Sequence, residues 1–105
     1  MNTIIQELQE KVRNDAFEYS EHAVTQSILR NITVQEVREA FETAESIEDY
    51  PTDKYGPSLL LVGFTRNQRP IHIQCSYPSR PIVKIVTLYE PDAQRWNNYR
   101  IRRTP

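Results

Sequence analysis

Glycine is scarce in this chain of 105 residues: only Gly56 and Gly63 occur, so no Gly-rich loop is present to cradle a phosphate or a dinucleotide. Cysteine is scarcer. Cys75 stands alone and can form no internal disulfide, and with only two histidines, His22 and His72, far apart in sequence, no metal-ligand spacing exists. No motif calls for a cofactor. No stretch approaches the roughly 20 apolar residues that cross a bilayer, and the start MNTIIQELQEKVRND lacks the basic-then-apolar order of a signal peptide. These absences predict a cytoplasmic protein with no membrane partner. Without an internal repeat, low-complexity tract or composition break, residues 1–105 read as a single domain with one small core.

What is present is a strong division of charge. The net charge is −1, yet residues 1–53 hold 4 Lys and Arg against 12 Asp and Glu, while residues 54–105 hold 9 against 2. Such a split suits a basic face for a polyanion with an acidic back, or two halves that interleave and neutralise one another. The apolar pattern is divided in the same way. Ile4, Ile5, Leu8 and Val12 mark a first helix over residues 2–14; Ser20 caps a second that Asn31 closes; Thr33 and Glu36 form a capping box for a third over 34–45, with Val34, Val37, Phe41 and Ala44 inward. Strands follow at 46–50, 59–65, 71–77 and 82–90, separated by turn formers, and a final turn or short helix carries Trp96 and Tyr99. Helices first and a strand meander after predict an α+β domain, its four-stranded antiparallel sheet covered by helices on one face and free on the other.

In YSEHAVTQSILR the residues His22, Gln26 and Arg30 recur at intervals of four, forming one helical ridge, while Val24, Ile28 and Leu29 are expected to face apolar neighbours. The ridge is either a solvated helix face or the edge of a site. His72 alternates with Ile71, Ile73 and Cys75 and so occupies the other face of its strand. Whether Lys84 or Tyr89 meets it depends on register. Cys75, in phase with the isoleucines, reads as a buried structural thiol. Metal-free RNA cleavage needs an acid, a base and cations around the phosphorane. His22, His72 and Tyr89 are candidates for the first roles and Arg30, Lys54 and Lys84 for the last. Trp96 and the tyrosines Tyr50, Tyr55, Tyr77, Tyr89 and Tyr99 offer rings on which bases could stack, or else fill the core and its rim. The acidic run Glu48, Asp49 and Asp53 reads as protection of an edge strand.

The segments YSEHA, LRNIT, VQEVREAFETAESIEDYP, DKYGPSLLLVGFT, RPIHIQCS and IVTLYEPDAQRW, in this order, resemble a family of small bacterial proteins catalogued as a domain of unknown function. That family is placed in the RelE-like, barnase–EndoU–colicin superfamily of RNase toxins. The resemblance implies a RelE/barnase-like fold, metal-independent attack on RNA, and an antitoxin partner, often with a zinc-finger-like domain. It matches His22 to the family's helix histidine, Arg30 to its helix arginine, His72 to its strand histidine and Tyr89 to its tyrosine before the acidic-Pro step. Gln26 stands where many members carry another arginine, which removes a cation from the ridge. Two functions compete: an endoribonuclease toxin of a toxin–antitoxin pair, and a non-catalytic module that binds RNA or an acidic protein with the same basic and aromatic face. A small-molecule enzyme is a third, which would need a closed pocket.

Overall fold

The computed structural model describes residues 3–54 and 56–103. Thr3 opens helix α1 (Ile4–Arg13) with a capping box: its hydroxyl accepts the Gln6 N–H at 3.1 Å while the Gln6 side chain accepts the Thr3 N–H at 2.9 Å. Leu8 and Val12 are its buried stripe. Asp15, at φ 60°, turns the chain into a strand that the apolar pattern does not announce, β1 (Phe17–Tyr19). Ser20 then caps α2 (Glu21–Leu29), accepting the Ala23 N–H, and Asn31 at φ 54° closes it in the left-handed region, as expected. The Thr33–Glu36 capping box starts α3 (Val34–Glu42), which buries Val37, Ala40 and Phe41. The helix stops at Thr43, a turn short of the expected end.

Strands β2 (Glu45–Tyr50), β3 (Ser58–Phe64), β4 (Pro70–Ser76) and β5 (Val83–Tyr89) form the expected antiparallel meander. The sheet nevertheless has five strands, in the order β1-β5-β4-β3-β2, and is mixed, because β1 pairs parallel with β5. A strand of three residues carries too little alternation to be read from sequence, and its partner lies more than sixty residues away in the chain. Trp96–Asn97 (β6) and Ile101–Arg102 (β7) pair antiparallel as a small hairpin, replacing the expected turn or short helix. Tyr55 lies outside the described residues. Among those described, no helix is long and apolar enough to cross a membrane.

All three helices contribute to one core against one sheet face: Leu8, Val12, Ala23, Val37 and Phe41 meet Leu61, Ile73, Ile85 and Leu88. Cys75 lies in this core, fully buried, and burial pushes its thiol up to about 12. Helix α3 comes close to the sheet at Gly63, where an added Cβ would stand 1.9 Å from the Ala40 carbonyl oxygen. Only a residue without a side chain permits that approach. Gly63→Ala is therefore expected to destabilise the fold by about 3 kcal/mol, the upper range for overpacking, because the obstacle is backbone and cannot rotate away. A urea midpoint equal to that of the wild type would refute this.

Candidate nucleic-acid interface

A β-bulge sets which side chains reach the second sheet face. The β4–β5 register runs His72 with Tyr89, Ile73 with Leu88 and Gln74 with Thr87, then shifts so that Cys75 pairs with Ile85. Val86 is the extra residue. Simple alternation along 82–90 puts Leu88 and Val86 on one face; the bulge instead puts Val83, Ile85 and Leu88 in the core, and Tyr89 beside His72. Lys84 also leaves the core side but stands at the opposite end of β5, where its N–H donates to the Ser76 hydroxyl. Lys54, in the β2–β3 connection, lies at that far end as well.

The second sheet face is not bare. The β6–β7 hairpin lies over it, and His72 beneath is 0 % exposed. Both ring nitrogens are engaged: Nε2 is 2.6 Å from the Tyr99 carbonyl oxygen and Nδ1 is 3.2 Å from the Tyr89 hydroxyl. A carbonyl only accepts, so Nε2 carries the proton and Nδ1 accepts from Tyr89. The ring also meets Tyr89 and Trp96 edge-on, with centroids 5.2 and 4.5 Å apart. Burial lowers the His72 pKa and raises that of Tyr89. The expectation of a free second sheet face is thus corrected: His72 on it is enclosed by the chain's own C-terminal segment.

On α2 the expected faces are exchanged. Ala23 is the buried residue, Gln26 and Ser27 are half-buried, and Val24, Ile28 and Leu29 are 43, 73 and 71 % exposed. Small Ala23 lets α2 settle close against β5, whose Ile85 and Val86 carbonyls accept from the Ser20 N–H and hydroxyl. That seating leaves the apolar residues outside and half-buries only Gln26 of the polar ridge. Its first member, His22, stays exposed. Its last, Arg30, sits at the helix end, where the Arg30 and Asn31 carbonyls accept from Arg69. Arg30 there meets the start of the C-terminal segment.

The result is a cleft of about 800 Å³ whose lining includes Arg30, Tyr89, Trp96, Arg95, Arg102 and Arg103. Three of the residues expected from sequence, Arg30, Tyr89 and Trp96, are brought together here; His22, Lys54 and Lys84 are not part of the lining. Trp96 is 5 % exposed, with the Arg102 guanidinium 4.7 Å over its ring, so it supports the cleft wall more than it offers a stacking face. Arg95 carries no sequence signal of its own; the basic end from Arg100 onward does.

Four of the nine cations of the basic second half pair with carboxylates of the acidic first half. Arg69 binds Glu36, Arg66 Glu39, Arg100 Glu45 and Arg102 Glu48. Arg102 raises its own charge affinity through Glu48 and Tyr50 and holds the Glu48 carboxyl below the usual range. Arg30, Arg95 and Arg103, by contrast, have no carboxylate partner among the described residues, and all three line the cleft. Of its two carboxylates, Glu90 is held by Arg69 at 2.7 Å and Asp92 accepts the Gln94 N–H at 2.8 Å. No group of metal-ligating side chains is found among the described residues. The arrangement suits an anion with several charges.

Residues 19–90 match the model of a family described as a domain of unknown function, DUF4258. No curated protein and no solved structure matches the chain. The matched span takes in His22, Arg30, His72 and Tyr89 and ends just before the C-terminal segment that closes the cleft.

The seating of α2 is checked by two substitutions: Ile28→Gln is expected to alter stability by less than about 0.5 kcal/mol, whereas Ala23→Gln costs about 2 kcal/mol or more by overpacking and burying an amide. Equal effects would mean that the helix is turned the other way. For His72 the lowered pKa means that, below the ordinary imidazole value of about 6.5, the unfolded chain takes up a proton that the folded one refuses. Stability is therefore expected to fall as pH drops from 7.5 to 5.5, with the slope reduced in His72→Gln; an unchanged slope would exclude a neutral buried ring.

Proposed function

Since the chain belongs to the DUF4258 family, whose description states no activity, the reading has to come from the site, and we propose that the protein binds single-stranded RNA in the cleft between the end of α2 and the C-terminal segment. The observation that carries this is the convergence of Arg30, Arg95 and Arg103, none with a carboxylate partner among the described residues, on one concave surface. Guanidinium groups bind phosphate oxygens in pairs, and a row of them tracks a backbone. Tyr89, at the cleft wall, provides an aromatic ring beside them. RNA in preference to a small molecule is supported by the cleft's open, charged character and its resemblance-based kinship with RNase toxins. A cytoplasmic location goes with this reading.

The second reading, RNA cleavage without metal in a toxin–antitoxin pair, is favoured by the Tyr89–His72 contact at the cleft wall. Burial keeps the Tyr89 hydroxyl protonated; its one proton is given to His72 Nδ1 in the covered state, so donation to a leaving 5′-oxygen requires that bond to break first, with the arginines holding the phosphorane. His22, exposed on the first turn of α2 and outside the cleft lining, is the candidate base by residue type alone. An antitoxin protein, with or without a zinc-finger-like domain, belongs to this reading as the partner. Binding ranks first because His72 is covered.

Binding is tested with a mixed-sequence RNA oligonucleotide by fluorescence anisotropy over a salt series. Arg30→Gln and Arg95→Gln are each expected to weaken binding several-fold, and the Arg30/Arg95/Arg103 triple Gln variant to reduce the slope of log K against log salt by about 2, three phosphate contacts on a single strand. An unaltered slope would remove the cleft from RNA recognition. Cleavage is tested on the same RNA in chelator: under the second reading, product forms and Tyr89→Phe or His22→Ala slows it on the order of 10²-fold. Recovery of intact RNA leaves binding alone.

A further inference from the structure

The segment that closes the cleft is attached to the sheet by side chains. Its backbone hydrogen bonds run within the segment: Trp96 N–H to the Asp92 carbonyl, Arg100 N–H to Asn97, and Arg103 N–H to Arg95. Side-chain contacts tie it down, among them Tyr99 edge-on to Phe64 and Arg100 over the same ring. The Tyr99 carbonyl accepts from His72, Trp96 sits edge-on to the same ring, Arg100 binds Glu45 at 2.5 Å, and Arg102 binds Glu48 at 2.7 Å. At its tip, Asn98 and Tyr99 have φ of 52° and 60°, a region that a bulky residue such as tyrosine enters only when its surroundings hold it there. A segment held this way opens more readily than the sheet beneath it.

Beneath the segment is a polar group that nothing in the cleft itself uses. His72 bonds Tyr89; nearby, Tyr50 donates to Glu48, and Glu48 and Tyr50 both interact with Arg102. Arg102 thus has two faces, one on Glu48 and one on the cleft.

We propose that residues 96–102 are a hinged cover over His72, Tyr89 and Tyr50, latched by Arg102 on Glu48, and that RNA phosphate in the cleft opens it by competing with Glu48 for Arg102. The second clause rests on the RNA-binding reading; the first does not. A phosphate offers the guanidinium the same paired acceptors as the carboxylate does, so exchange loses little at Arg102 while it removes one tie of the cover. Opening then presents the His72 ring and the Tyr89 hydroxyl to the bound strand. Linkage makes the coupling reciprocal: cutting the latch from the Glu48 side frees Arg102 and must raise RNA affinity.

The test uses the full chain and its one tryptophan, Trp96. Acrylamide quenching and amide hydrogen exchange of residues 96–103 are measured in wild type, Glu48→Gln and Glu45→Gln, each with and without the RNA oligonucleotide. In protein alone, Glu48→Gln is expected to speed exchange in the cover and to increase quenching, each about fivefold or more, with the β3 and β4 amides unchanged. Glu45→Gln, which cuts the neighbouring tie away from the cleft, also loosens the cover, raises RNA affinity less than Glu48→Gln does because Arg102 stays latched, and serves if Glu48→Gln does not fold. RNA is expected to speed cover exchange in wild type, and Glu48→Gln to bind it about fivefold more tightly. If the cover exchanges only with global unfolding in both variants, it is a fixed part of the fold and the proposal falls whatever RNA does. If the cover loosens but bound RNA leaves wild-type exchange unchanged, or slows it, the competition at Arg102 is overturned. Absence of RNA binding overturns the competition together with the RNA reading, and the protein-only measurements still decide the cover.

Discussion

Carboxylates of the first half of the chain paired with guanidinium groups of the second are the interaction on which the site depends. Glu36 meets Arg69, Glu45 meets Arg100 and Glu48 meets Arg102, so the asymmetry of sequence is partly cancelled in the fold. Individually such exposed pairs contribute little to stability. Their importance is positional. They lay the C-terminal segment across the sheet, and three arginines without a carboxylate partner among the described residues, Arg30, Arg95 and Arg103, gather where α2 ends and the segment begins. An interleaved charge pattern and a cationic cleft, which look like alternatives in the sequence, coexist because the pairing is incomplete.

His72 joins the two layers that meet there. Its strand position opposite Tyr89 depends on the single extra residue at Val86, and its ring then contacts Tyr89 on one side and Trp96 and the Tyr99 carbonyl on the other. A neutral imidazole with one donor and one acceptor fits that position because it is offered one carbonyl and one hydroxyl. The same fit that stabilises the covered state makes the ring unavailable to a ligand in that state. A structural role and a chemical one are therefore successive possibilities for this residue, separated by movement of the segment above it.

The helices, their caps and four of the sheet's strands are legible in the sequence because each rests on local signals: a hydroxyl before an apolar period, a glutamate three residues later, an alternation bounded by Pro, Asn and Asp. Cys75 as an inert core thiol follows from the same alternation. The seating of α2 is not legible, because a helix with apolar residues on several sides has no preferred face until a small residue such as Ala23 meets a particular strand. The candidate site is half legible. Arg30, His72 and Tyr89 stand out by residue type and spacing; their separation from Lys54 and Lys84, and the contribution of Arg95, do not.

What the sequence by itself determined is the α+β class, the three helices, the four strands of the meander, and a surplus of cations toward the C-terminus, since these depend on residues close to one another in the chain. Only the tertiary structure decided the fifth, parallel strand, the bulge that pairs His72 with Tyr89, and which arginines remain without carboxylates. Each of those is a contact between residues far apart in sequence, and a shift of one position in register or a turn of one helix would have exchanged the partners without changing a single local signal.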